Sequence, residues 1–254
     1  MIRTSPLPAF SDNYIWVLHN DQYAAVVDPG DATPVRDFLT QNRLELTDIL
    51  ITHHHADHIG GVGSLVDDTA ARVHAPRDTP LNCMADRVAD GDEVTITGLG
   101  LTFKVVGTPG HTLDHVCYYD GTRLFCGDTL FIGGCGRLFE GTAAMMLSSL
   151  QKISTLPAET LLYCAHEYTL NNYRFAEEVD PDNPHLQQQM SLANQKRRNH
   201  QETVPGTLAV ELNTNPFLRC SDPVIQQAVS KASGCEAAAT LDTFRLLREW
   251  KDRF

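Results

Sequence analysis

The chain of 254 residues lacks any apolar run of about 18 residues, the length that a membrane-spanning helix needs. Its first ten residues include two prolines and no long apolar segment, so no signal peptide is expected. Basic residues are few: 20 lysines and arginines stand against 32 aspartates and glutamates, which gives a net charge of −12. That balance argues against a general nucleic-acid or anionic-membrane binder, whose affinity depends on positive surface.

Cysteine usage shows no disulfide framework, because the seven cysteines are odd in number and scattered without a pattern. Internal repeats and low-complexity segments are also missing. A hydrophobic content of 42% and a charged content of 20% are ordinary for a globular protein. We therefore expect a cytoplasmic protein with reduced thiols, and by default a monomer.

Short strands and helices alternate irregularly over residues 1–168, which predicts a mixed α/β (α+β) fold with sheets covered by helices. One predicted strand covers residues 47–52, and a helix is predicted over residues 59–66. The composition shifts near residue 168, and helices are predicted after it: over residues 169–179, from a cap at Asn183-Pro184 through residue 200, from 221 onward and over 241–251. A loop that contains Pro205, Gly206 and Pro216 is predicted between the second and third of these helices. We expect a larger α/β domain, residues 1–168, followed by a smaller all-α domain, residues 169–254.

Four histidines and one aspartate occupy six consecutive positions directly after the apolar run 49–51. If the strand continues, His53 and His55 point to the same face, because side chains alternate along a strand. Asp57 and His58 follow in a turn and bring a carboxylate and a third imidazole to the same place. Imidazole and carboxylate groups are ligands for zinc, iron or manganese.

Four more polar residues each follow a short apolar strand, where loops commonly carry binding groups: Asp28, His111, Asp128 and His166. Several strand ends on one edge of a sandwich can converge on one cleft. Asp28 precedes a Pro-Gly pair and fits a turn residue equally well.

The spacing His-x-His-x-Asp-His resembles the signature of the metallo-β-lactamase superfamily, which implies an αββα sandwich with two divalent metals. Zinc is expected, with iron or manganese as alternatives. By this resemblance the first metal is bound by His53, His55 and His111. The second is bound by Asp57, His58 and His166, and Asp128 bridges the two.

Longer segments resemble the glyoxalase II family, the hydroxyacylglutathione hydrolases, and together they span essentially the whole chain: residues 8–16, 127–131, 133–137, 166–172, 215–219 and 248–251. The resemblance implies hydrolysis of S-(2-hydroxyacyl)glutathione, chiefly S-D-lactoylglutathione, to D-lactate and glutathione, the second step of methylglyoxal detoxification. A hydroxide that bridges the metals beside the catalytic residues Asp57 and Asp128 would attack the thioester carbonyl.

Substrate-binding residues are also implied by the resemblance: Arg137, Phe139, Tyr168, Arg248 and Lys251. Phe139 stands where eukaryotic members of the family often have tyrosine, and it lacks the phenolic donor. Taken without the resemblance, Arg248 and Lys251 fit a solvated helix face, because they are three residues apart on a predicted helix.

Orienting groups are expected next to the imidazoles, and the candidates are Asp28 and His115, with a structural or supporting role for His54. Cys135 is expected to be a buried, inert thiol rather than a nucleophile.

Other functions stay open on the sequence alone. A persulfide dioxygenase with a single iron would consume oxygen, and a lactamase or lactonase would use the same motif on another substrate. A non-catalytic module would bind a glutathione conjugate without turnover.

Overall fold

The computed structural model describes residues 1–254, which fall into two compact units. Unit 1 comprises residues 1–107 and 114–127, and unit 2 comprises residues 108–113 and 128–254. The predicted domain boundary between residues 168 and 169 remains a prediction.

Unit 1 begins with a six-stranded sheet in which sequential strands are neighbours. Its strands are β1 (Arg3–Ala9), β2 (Asn13–His19), β3 (Tyr23–Val27), β4 (Glu45–Leu50), β5 (Arg72–Pro76) and β6 (Asp86–Val88). The first three are antiparallel and the last four run parallel. Parallel neighbours need a crossover, and helices supply it from β3 to β4 and from β4 to β5: α1 (Ala32–Asn42), α2 (Ala56–Ile59) and α3 (Val62–Thr69).

The apolar stripes of α1 and α3 pack on this sheet, with Val35 and Leu65 buried against Val26 and Ile49. Asp31 caps α1 by accepting a hydrogen bond from the Thr33 amide, as an N-terminal aspartate should.

A second, antiparallel sheet of unit 1 contains β7 (Glu93–Ile96), β8 (Leu101–Gly107), β9 (Val116–Tyr119) and β10 (Arg123–Gly127). Tyr118 joins it to the first sheet. Its hydroxyl donates to the carbonyls of Ile51 at 2.9 Å and His74 at 3.2 Å. Phe103 and Phe125 pack in the same buried layer. The two sheets thus form a sandwich.

Unit 2 is mainly helical. It contains the strands β11 (Leu130–Phe131), β12 (Gly134–Cys135), β13 (Leu161–Cys164) and β14 (Gly206–Thr207). Its helices are α4 (Ala143–Ser154), α5 (Thr169–Val179), α6 (Pro184–Arg198), α7 (Leu208–Thr214), α8 (Pro223–Ser233) and α9 (Thr240–Arg253). Phe175, Phe217 and Phe244 form its aromatic core. No helix of the protein is both long and apolar enough to cross a membrane.

Two local expectations are wrong. The strand that leads into the histidines ends at Leu50 rather than Thr52, and α7 lies where a loop is predicted. A third expectation is also wrong, because Asp57 and His58 lie on the short helix α2 rather than in a turn.

Replacing Tyr118 with phenylalanine should lower the free energy of unfolding by about 1–3 kcal/mol, because buried carbonyls lose their hydrogen-bond donor. Chemical denaturation measures the change. The control is Tyr119→Phe at the next, half-buried position, which should stay within about 0.5 kcal/mol of the wild type. Equal stability of the two variants would show that Tyr118 does not join the sheets through its hydroxyl.

Candidate metal centre and adjoining cavity

In unit 1 the histidine segment leaves the sheet at Leu50 and turns into α2. His53 Nε2 lies 3.1 Å from His55 Nδ1, and His58 Nε2 lies 3.5 Å from Asp57 Oδ2. Strand alternation does not produce this arrangement, because His53 and His55 stand beyond the end of the strand. The segment itself brings together the four predicted ligands of unit 1.

Asp28 lies directly behind the imidazole of His58. Its Oδ2 is 3.0 Å from His58 Nδ1, and both of its carboxylate oxygens accept a hydrogen bond from Thr52, one from the amide and one from the hydroxyl, each at 2.7 Å. One ligand-type atom each from Asp28, His53 and His58 lies within 4.8 Å of the others. A carboxylate that accepts from Nδ1–H fixes the tautomer and directs Nε2 towards a metal.

Asp57 is held from two sides. The Asn13 amide donates to its Oδ2 at 2.9 Å. Gly30 passes so close that an added Cβ would stand 1.8 Å from the Asp57 carbonyl oxygen, so only glycine fits there. Sequence reasoning did not single out Asn13, although it lies in a segment that resembles the family.

The two remaining candidates of unit 1 surround the same segment. His115 is buried, and its ring stacks on that of His53 with centroids 4.9 Å apart. His54 Nδ1 lies 2.9 Å from Asp114, which also accepts a hydrogen bond from the Thr79 hydroxyl. His54 therefore has a carboxylate partner of its own, which agrees with a supporting role.

In unit 2, Asp128 lies between two imidazoles. Its Oδ2 is 3.4 Å from His111 Nε2, and its Oδ1 is 3.4 Å from His166 Nε2. All three residues are buried. These distances exceed the 2.7–3.2 Å usual for an N–H···O hydrogen bond. Two nitrogens and two carboxylate oxygens at this spacing suit a divalent cation.

Neighbouring groups orient both of these imidazoles. The Arg137 carbonyl lies 2.8 Å from His111 Nδ1, which places the proton on Nδ1 and a lone pair on Nε2. The Tyr168 ring stacks on His166, with centroids 4.7 Å apart and planes 7° apart. The Phe139 ring meets His111 edge-on at 5.2 Å.

A cavity of about 410 Å³ opens beside His111 and Asp128, and this volume suits a small molecule. It brings together the five residues that the resemblance implies for substrate binding: Arg137, Phe139, Tyr168, Arg248 and Lys251. Sequence reasoning missed other lining residues, namely Phe131, Asn171, Asn172, Asp252 and Phe254.

The cations of this cavity are held differently. Arg248 is buried and donates to the Cys135 carbonyl at 2.9 Å and to Asp252 at 2.9 Å. Lys251 is half-buried, with Nζ 3.4 Å from the Asn171 carbonyl. Burial lowers the pKa of Lys251 to about 8, and the positive charge of Arg248 adds to this effect. Burial raises the pKa of the Cys135 thiol to about 11, which agrees with an inert thiol.

Comparison with known proteins identifies relatives of both halves of the chain. Residues 9–166 match the metallo-β-lactamase superfamily model, and residues 167–254 match the model of the hydroxyacylglutathione hydrolase C-terminus. Proteins named hydroxyacylglutathione hydrolase from Nitrosomonas eutropha and Pseudomonas fluorescens are 48% and 46% identical, with 100% of each chain covered. The crystal structure of ETHE1 from Myxococcus xanthus is 27% identical with a TM-score of 0.69, covering 98% of this chain and 90% of that one. The predicted fold class is confirmed.

Replacing Asp28 with asparagine should weaken zinc binding by about 10–100-fold, because His58 loses the carboxylate that orients it. Competition with a chromophoric chelator measures the affinity. Asp48→Asn is the matched control, since Asp48 forms a similar buried pair with His74 at 2.9 Å. Unchanged affinity in the Asp28 variant would argue against an orienting role.

Proposed function

The chain belongs to the hydroxyacylglutathione hydrolase family of the metallo-β-lactamase superfamily, and we propose that it hydrolyses S-(2-hydroxyacyl)glutathione thioesters. The main substrate is S-D-lactoylglutathione, which yields D-lactate and glutathione in the second step of methylglyoxal detoxification. The observation that carries this proposal is the cavity of unit 2, in which His111 and Asp128 lie beside the cationic Arg137 and Lys251. A metal-competent centre next to positive charge suits an anionic thioester.

We further propose that two divalent cations bind here, with zinc first and iron or manganese as alternatives. The seven ligands would be His53, His55 and His111 for one, Asp57, His58 and His166 for the other, and Asp128 between them. When bound, such cations lower the pKa of water towards about 7 and polarise the thioester carbonyl. Imidazole and carboxylate donors in both units support this assignment.

Side chains and one backbone carbonyl of the protein orient the candidate metal ligands. Asn13 and Asp28 fix Asp57 and His58, and the Arg137 carbonyl keeps the His111 lone pair on Nε2. The leaving thiolate resembles free cysteine, with a pKa of about 8.5, so its departure needs no acid from the enzyme. Hydrolysis thus requires an activated water and an oriented carbonyl, without a covalent nucleophile.

Glutathione presents two carboxylates, and the cavity offers cations to meet them. Lys251 is the best candidate, because Arg248 already pairs with Asp252 at 2.9 Å. Arg137 is the second candidate, because it is exposed and meets the same carboxylate at the longer distance of 3.3 Å. Tyr168 carries a phenolic donor, whereas Phe139 offers only an apolar ring. We also propose that residues 1–168 are the catalytic domain and 169–254 the substrate-binding domain of a cytoplasmic monomer.

Purified protein should hydrolyse S-D-lactoylglutathione, lose activity on chelation and regain it with added zinc. The decrease in thioester absorbance follows the reaction. His166→Ala should lower kcat/KM at least about 100-fold by removing a ligand, whereas His185→Ala, an exposed histidine on α6, should not.

Two outcomes would contradict the proposed activity. Oxygen uptake with glutathione persulfide would instead indicate a dioxygenase. Tight binding of the thioester by metal-loaded protein without turnover would indicate a binding module.

The pH dependence of KM tests Lys251. Its pKa is about 8, so the ammonium loses its proton, and with it the attraction for carboxylates, as the pH rises through 8. KM should rise about fivefold between pH 7 and pH 9, the size of a partly exposed ion pair. Lys251→Arg stays charged and should flatten this rise, and an equal rise in both proteins would exclude Lys251 as the carboxylate partner.

A further inference from the structure

The short hairpin of β11 and β12 has almost no sheet around it, since its two strands pair only with each other. Polar side chains of the helical part of unit 2 hold its backbone instead. Glu211 Oε2 accepts from the Gly133 amide at 2.7 Å. The Asn215 amide donates to the carbonyls of Phe131 at 3.2 Å and Gly134 at 3.0 Å.

Glu211 and Asn215 act as a pair. The Asn215 amide also donates to Glu211 Oε2 at 2.9 Å, so one carboxylate oxygen receives two hydrogen bonds. Asn172 of α5 adds one more donor to the hairpin, to the Ile132 carbonyl at 3.0 Å. We call Glu211 and Asn215 the latch.

The latch is completely buried, with both residues 0% exposed. Burial raises the pKa of Glu211 to about 7, while the hydrogen bonds from Gly133 and Asn215 oppose that rise. Its Oε1 has no hydrogen-bond partner. Packing alone would favour an apolar residue here, because burying a carboxyl group costs free energy unless hydrogen bonds compensate for the lost water.

The hairpin leads directly into the candidate metal centre. Asp128 precedes the hairpin and Gly136 follows it. The backbones of these two residues lie so close together that a Cβ added to Gly136 would stand 1.9 Å from the Asp128 carbonyl oxygen. The next residue, Arg137, supplies the carbonyl that lies 2.8 Å from His111 Nδ1. A shift of the hairpin therefore moves the backbone beside one candidate ligand and the carbonyl that orients another.

We propose that Glu211 and Asn215 are positioning residues that hold the hairpin so that Asp128 and His111 keep the geometry of metal ligands. Neither residue lines the cavity that contains His111 and Asp128, so the effect reaches the site through the hairpin backbone. This inference rests on the proposed function only in its prediction that substitutions of Glu211 and Asn215 lower turnover. Its effect on metal affinity and on hairpin mobility is independent of the substrate.

Three variants and one control test the latch. Glu211→Ala and Asn215→Ala remove hydrogen bonds to the hairpin, and Glu211→Gln keeps an acceptor for Gly133. Asn213→Ala is the matched control, because the side chain of this exposed neighbour donates within its own helix, to the Ala209 carbonyl. Full-length proteins are compared after circular dichroism has shown that they are folded.

In the two alanine latch variants, amide hydrogen exchange over residues 130–136 should accelerate, and zinc affinity by chelator competition should fall about tenfold. The value of kcat should fall more than KM changes. Glu211→Gln should restore most of both properties, and Asn213→Ala should match the wild type.

Wild-type exchange and wild-type zinc affinity in folded Asn215→Ala would overturn the proposal, and this variant decides if Glu211→Ala does not fold. If the wild type lacks thioesterase activity while the latch variants still bind zinc more weakly, the proposed function is wrong but the positioning role of Glu211 and Asn215 is supported.

Discussion

A single carboxylate placed between two imidazoles is the constraint that unit 2 has to satisfy. Asp128 faces His111 and His166 at 3.4 Å on either side, in a buried place where unpaired charge is costly. Such a group stays in place only if its neighbours fix it before a cation arrives. The Arg137 carbonyl orients the imidazole of His111, and the Tyr168 ring orients that of His166. The glycine-rich hairpin fixes the backbone of Asp128.

Unit 1 meets a similar requirement with a buried hydrogen-bond network instead of a hairpin. Asp28 adopts a left-handed conformation, with φ of 52°, that few non-glycine residues accept. That conformation is compensated by three contacts, two from Thr52 and one to His58. A turn residue that satisfied only the backbone would not need them, so the contacts favour an orienting role over the bare turn.

Metal chemistry restricts residue type and spacing, so the sequence itself indicated metal binding in the segment from His53 to His58, whereas the full ligand set followed from the family resemblance. The sequence also predicted helix starts such as Asn183-Pro184, because caps are local. It did not predict α7, a helix of seven residues between two prolines, which is too short for periodicity to reveal. Its Glu211 contacts Gly133, 78 positions away. The bonds of Tyr118 and Asn13 likewise join distant segments, and no local pattern encodes such pairings.

The net charge of the protein is negative, whereas the cavity carries cationic side chains. Screening by salt explains how the two coexist. Charges farther apart than about 8 Å hardly interact at physiological salt, so the net charge of −12 matters little inside the cavity. Within it, Asp252 already neutralises Arg248. Lys251, whose pKa is lowered by burial and by its arginine neighbours, carries positive charge that no adjacent carboxylate fully cancels. An anionic substrate relieves that repulsion, so the same cations that destabilise one another favour its binding.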